Sequence, residues 1–197
     1  MRYDANHKAE TRRRVVTEAA RAIRESGPDR VAVAEVMAAA GLTHGGFYAH
    51  FPSKDDLLLA AMDEMFADAR GRLERSSAGF GPDKGLERYI DFYLSARHRD
   101  GRGAGCPLPA LSADLARLSA GAKARYGEGV AGLTQELAEL IRRLGREPAQ
   151  DLAASLVAEL VGALALSRAV ADPAQSDAIL AASRAALKER LGLETDP

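Results

Sequence analysis

A tight glycine turn at Gly41 divides two apolar segments, each too short to be a stable helix alone, and this pairing constrains the chain more than any other feature. The first runs from about Ala32 to Ala40, with Val33, Val36 and Met37 on one face. The second begins at Thr43, whose hydroxyl is a suitable N-cap, and reaches about His50 before Phe51-Pro52-Ser53 breaks it. Two short helices around a glycine turn form the helix-turn-helix pattern. A longer helix precedes them from about Ala5 to Ser26. Its apolar positions Val15, Val16, Ala19, Ala20 and Ile23 recur at helical spacing, and Gly27-Pro28 ends it.

Ser53 opens the next helix, which extends to about Arg75 with Leu57, Leu58, Ala61, Met65 and Leu73 as its buried stripe. The segment from Ser76 to Pro82 reads as a loop. Beyond it, helices are expected near 84–99, 108–119, 122–144, 148–171 and 174–191, the last two opened by Pro148 and by Asp172-Pro173. The residue supply agrees: 40 alanines and 24 leucines face only 13 valines and isoleucines among 197 residues. The expected fold is all-α, an N-terminal three-helix helix-turn-helix domain over 1–53 followed by a larger helical bundle over 54–197.

One cysteine excludes a disulfide scaffold. The longest run without Asp, Glu, Lys or Arg, Val36 to Ser53, holds three glycines, Pro52 and two histidines, so no bilayer span is expected. The charged start lacks the apolar run of a secretory signal, and the expected compartment is the cytoplasm. Charge is distributed unevenly. Up to Arg24 there are seven Lys or Arg against three acids, although the whole chain carries a net −1. Such a basic start suits a polyanion, and equally a solvated helix face.

The run Ala39-Ala40-Gly41-Leu42-Thr43-His44-Gly45-Gly46-Phe47-Tyr48-Ala49-His50-Phe51-Pro52-Ser53-Lys54 resembles the DNA-binding signature of TetR-family transcriptional regulators. It has the Ala-Gly turn, the small polar cap, the Gly-x-x-Tyr-x-His-Phe order and the Ser-Lys start of the next helix. Two positions depart from the pattern: Ala32 stands where Thr or Ser commonly caps, and Ile23 replaces a frequent aromatic. The resemblance implies a dimeric, cytoplasmic repressor on a double-stranded DNA operator, released by a small-molecule or electrophile effector. It implies phosphate contacts from Thr43, Tyr48, His50 and Lys54, with His44 and the Gly45-Gly46 surface reading base edges. Phe47 and Phe51, four apart, are expected to pack inside.

The resemblance also places the homodimer seam on the last two helices. Leu156, Val157, Leu160, Val161 and Leu164 supply apolar bulk there, and Gly162, Ala163 and Ala165 permit close approach. Spacing does not separate that seam from an ordinary core face. Effector candidates in the middle helices are Tyr89, Phe92, Tyr93, His98, Tyr126 and Gln135. Cys106 follows three arginines and a histidine and precedes a helix expected from Leu108, a setting that favours thiolate; it is a redox or electrophile sensor or a small buried residue. The rival classes are a helical enzyme using Cys106 and His98, and a membrane-surface protein using the first helix. There is no Gly-rich phosphate loop, no metal-ligand spacing and no paired-carboxylate site, so no enzyme, cofactor or metal is expected.

Overall fold

The computed structural model describes residues 2–193, with side chains from residue 6 onward. Among the described residues the chain is helical without strands. The helices are α1 (Arg2–Ser26), α2 (Val33–Ala39), α3 (Lys54–Ser77), α4 (Pro82–Tyr93), α5 (Ala96–Asp100), α6 (Pro107–Leu111), α7 (Ala120–Arg143), α8 (Ala149–Ala169) and α9 (Pro173–Leu191). Three short 3-10 segments, His44–Ala49, Arg102–Ala104 and Leu115–Arg117, join them. Two compact units result, Met1–Ala67 with Arg102–Gly127, and Asp68–Gly101 with Glu128–Pro197.

In the first unit, Val15, Val16, Ala19, Ala20 and Ile23 of α1 are buried with Val36 and Met37 of α2 and Leu57, Leu58 and Ala61 of α3. Local signals set the ends of these helices. Gly27 and Gly41 take the left-handed conformation at φ +83 and +73. After α2, the Leu42 amide donates to the Met37 carbonyl and the Gly41 amide to that of Ala38, both at 2.9 Å, a Schellman closure that only glycine enters without strain. Ser53 caps α3 by accepting from the Asp56 amide at 3.1 Å. The segment 102–119 packs onto the same helices. Buried Arg24 donates to the Gly103 carbonyl at 3.3 Å, Arg117 pairs with Asp29 at 3.3 Å and with Asp114, and Ser119 donates to Asp55 at 3.0 Å.

Two expected helices are shorter than the sequence suggests. The one near 84–99 stops at Tyr93, and Ser95 starts α5 by accepting from the His98 amide. The one near 108–119 is a single turn, Pro107–Leu111, followed by the 3-10 segment at 115–117. Leu108, Leu111, Leu115 and Leu118 keep a helical apolar spacing through this stretch, and the break falls at Ser112-Ala113-Asp114, whose Ser and Asp side chains favour turns over helix interiors.

The second unit centres on an α8–α9 hairpin, closed by Asp172 accepting from the Ala174 amide at 3.0 Å. Leu156, Leu160 and Leu164 turn inward with Leu180 and Leu187 of α9. This corrects the expected seam, because those leucines are core. The outward side of α8 carries exposed Ala158, Ala165 and Leu166, the last 59% exposed, with half-buried Val161 and Gly162. α8 is the one described helix long and apolar enough to cross a membrane by length and composition, a feature the sequence reading missed. It packs as a core helix, and its Glu159 pairs with Arg190 at 2.9 Å.

His98 sits in this unit, 3% exposed, its Nδ1 2.8 Å from the Tyr93 carbonyl oxygen, which makes that nitrogen the donor. Its ring stacks on Phe92 at 5.1 Å and meets Tyr93 edge-on at 4.7 Å. Burial, helped by the Arg168 and Arg72 charges, pushes the imidazole down to about 4 from 6.5, so it is neutral at neutral pH. A lowered folded value means the unfolded chain takes up the proton first, so this contribution to stability is complete above 6.5 and is lost as pH falls towards 4. Urea unfolding across that window is expected to show a fall of about 3 kcal/mol that His98→Gln removes.

Candidate nucleic-acid interface

The recognition segment is a 3-10 helix rather than the α-helix to about His50 that its spacing suggests, as two adjacent glycines and six residues would favour. Thr43 stands at its N-cap position with extended backbone, but its hydroxyl makes no capping bond; the carbonyl of Thr43 accepts from the Gly46 amide at 3.1 Å instead. Ala32 likewise leaves α2 without a side-chain cap. The segment is held from within by Phe47, 2% exposed, whose ring lies 5.7 Å from that of buried Phe51. With Phe47 anchored, Tyr48 is thrown outward, 72% exposed, in edge contact with the Phe47 ring at 5.2 Å.

Thr43, His44, Gly45 and Lys54 are also exposed, and Gly46 and His50 are half-buried, so the expected reading surface is one continuous stretch of chain open to solvent. The glycines are not demanded by packing. A Cβ on Gly45 would meet nothing within 4 Å, and one on Gly46 would touch only the Met37 methyl at 3.7 Å. What the absence of side chains provides is therefore room on the outer side, where a groove floor would come.

The sequence reading missed how α1 completes this face. Burial lowers the His50 imidazole from its usual range, and the positive charges of Lys8 and Arg12 lower it further. Arg12 also lies over the Phe51 ring at 4.7 Å. The His50 Nδ1 is buried without a hydrogen-bond partner. Two cations one helical turn apart thus stand beside the end of the recognition segment, an arrangement that attracts a phosphate. The basic start of α1 was the available signal; which of its arginines turn towards the motif depends on the docking of α1.

The other singled-out residues divide between the units. Cys106 and Tyr126 belong to the first, and Tyr89, Tyr93 and His98 to the second. Cys106 is 6% exposed and is the N-cap of α6, so the helix behind it is one turn opened by Pro107 and offers far less of a positive end than expected. Tyr126 donates to the Leu108 carbonyl at 3.1 Å, and burial together with the Cys106 charge pushes its hydroxyl up to about 12. Tyr89 and Tyr93 are buried, with rings 5.9 Å apart. Phe92 is half-buried under the Arg72 guanidinium, and Gln135 is exposed.

The sequence profile described as bacterial regulatory proteins, tetR family, matches residues 15–61, from the core of α1 through the recognition segment into α3. No curated protein matches the chain. Among solved structures, a TetR transcriptional regulator from Chloroflexus aurantiacus shares 25% identity, with 96% of this chain and 98% of that one covered and a TM-score of 0.81. The reduced form of Escherichia coli NemR shares 20% identity over 91% and 96% of the two chains at a TM-score of 0.80. A tetR-family regulator from Cytophaga hutchinsonii shares 21% over 97% and 98% at 0.79. Residues 15–61 thus carry the DNA-binding domain of the tetR family of bacterial regulatory proteins, and the chain has the fold of the TetR-family transcriptional regulators it resembles.

Proposed function

We propose that the protein is a homodimeric repressor, responsive to a small-molecule or electrophile effector, with residues 1–53 reading the operator and 54–197 forming the effector and dimer region. Thr43, Tyr48, His50 and Lys54 take phosphates, and His44 with the Gly45-Gly46 surface faces base edges. The observation that carries this reading is the pairing of a buried Phe47 with an exposed Tyr48 beside two glycines that no internal contact requires. The test uses duplexes selected from a random pool by the purified protein. Binding is expected to weaken steeply with salt, and replacing Tyr48 and Lys54 by alanine is expected to cost about tenfold each; Lys54→Ala also flattens the log–log salt slope by about one, whereas Tyr48→Ala, which removes no charge, leaves it unchanged. A slope unchanged in the double variant would count against these roles.

For the effector, the favoured point of attack is Cys106. It lies in the segment whose neighbours Gly103, Asp114 and Arg117 contact α1 and the turn after it, and a side chain on Gly103 would run into the Glu25 carboxylate. An adduct on a thiol buried in that segment displaces it from α1, which couples modification to the reading head through differential stability of the two arrangements. Brief treatment with a maleimide or hypochlorite, followed by intact mass and operator titration, is expected to show DNA release in step with modification. Full modification at unchanged operator affinity refutes the sensor role. The alternative of a helical enzyme using Cys106 and His98 has less behind it, since burial lowers the His98 imidazole to about 4 and leaves it a weak base.

A further inference from the structure

The first unit contains a cavity of about 260 Å³ that neither the DNA contacts nor Cys106 uses. Its walls are Ile23 of α1, Val31, Val33 of α2, Leu57 and Leu58 of α3, and Leu118. An apolar cavity of about 150 Å³ already admits benzene, so this one has room for a ring with a short side chain. Its rim is charged and uneven. Asp29 is held by Arg117 at 3.3 Å, and both oxygens of Asp55 take the Ser119 hydroxyl at 3.0 Å. Lys54, exposed at the start of α3, is the rim group that makes no ion pair within 4 Å among the described residues. Arg117 neutralises Asp29, and the Ser119 hydroxyl occupies Asp55 without cancelling its charge, so Lys54, an ammonium on a flexible stem, is the rim group left to take a ligand's negative charge.

We propose that this cavity is a binding site for a small aromatic or branched carboxylic acid, whose apolar body lies between α1 and α3 and whose carboxylate pairs with Lys54. Occupancy does not depend on the function proposed above; its consequence does. A lysine engaged by a bound carboxylate is withdrawn from a DNA phosphate, so the acid and the operator compete for one side chain and each lowers the affinity for the other by the same factor. The reading head would carry its own anion-sensitive control, separate from any effector bound elsewhere.

The test uses the full-length protein without DNA and three probes of one shape, phenylacetate, 2-phenylethanol and phenethylamine, followed by calorimetry and by amide chemical shifts. Phenylacetate is expected to saturate at one per chain in the millimolar range or below and to bind about tenfold tighter than the alcohol. Lys54→Met is expected to erase that difference while leaving alcohol binding intact. Leu118→Trp, and independently Val33→Phe from another wall, is expected to abolish binding of both at an unchanged melting temperature. Added phenylacetate is then expected to lower operator affinity in the wild type and not in Leu118→Trp. Absence of saturable binding, tighter binding of the amine than of the acid, or binding that survives both filling variants overturns the site. Saturation by phenylacetate at unchanged operator affinity overturns the competition. A protein that binds the acid but no duplex at all overturns the DNA reading and leaves the cavity assignment standing.

Discussion

Replacing Ala165 by arginine is expected to turn the homodimer proposed above into folded monomers and to lower operator affinity by at least about a thousandfold. Ala165 lies on the outward side of α8 beside Leu166, with Val161 and Gly162 one turn before it, while Leu156, Leu160 and Leu164 fill the subunit's own core. The new side chain therefore creates no cavity and displaces no internal neighbour, and the melting temperature of the isolated subunit should hold. Around a two-fold axis, however, every change occurs twice. Two guanidiniums then enter the proposed seam among Ala158, Val161 and Leu166, and burying even one unpaired charge costs several kcal/mol. A recognition segment of six residues touches few bases, so its operator affinity depends on two copies held at half-site spacing. Sedimentation gives the mass, circular dichroism the fold, and titration of the selected duplex the affinity. A monomeric variant that binds the operator as well as the wild type would show that the two-copy premise is wrong; a variant that stays dimeric would place the seam elsewhere.

What the sequence makes legible here is local. Gly41 and Gly27 must turn left-handed, Ser53 and Asp172 must cap, and Phe47 and Phe51 four apart must share a face, and each of these is set by residues within a few positions of one another. The direction of an apolar helix is another matter. α8 is apolar nearly all round, so Leu164 and Leu166 carry the same signal although one is buried and the other exposed. The role of Arg24 is equally invisible: it reads as part of a basic stretch, yet it is buried against the Gly103 and Met65 carbonyls, partners 79 and 41 residues away. The aromatic effector candidates are undecided by sequence for a related reason. Composition identifies Tyr89 and Tyr93 as suitable wall residues, but whether such buried rings line a space or fill it is decided by packing.

Gly45→Leu is expected to leave the subunit as stable as the wild type and to weaken operator binding more than a hundredfold, with Gly45→Ala intermediate. The separation of the two readouts is the point. At Gly45 the Cβ direction is empty to 4 Å and the backbone φ is not positive, so a side chain meets no clash and no strain within the subunit. Glycine in a helical segment in fact costs about 1 kcal/mol relative to alanine, so the alanine variant should melt no lower and by this account slightly higher. A residue that improves the free protein and is absent from it is explained if something outside occupies that space. Against a groove floor, a four-carbon side chain on the outer face holds the segment away from the base edges and lengthens the contacts of its neighbours His44 and Tyr48 together, so the loss exceeds that of any one hydrogen bond. Thermal melts and operator titrations on the glycine, alanine and leucine series give the answer directly. If all three bind the selected duplex equally well, the outer face of this segment does not meet DNA, and the roles assigned to His44, Gly45 and Gly46 fall with it.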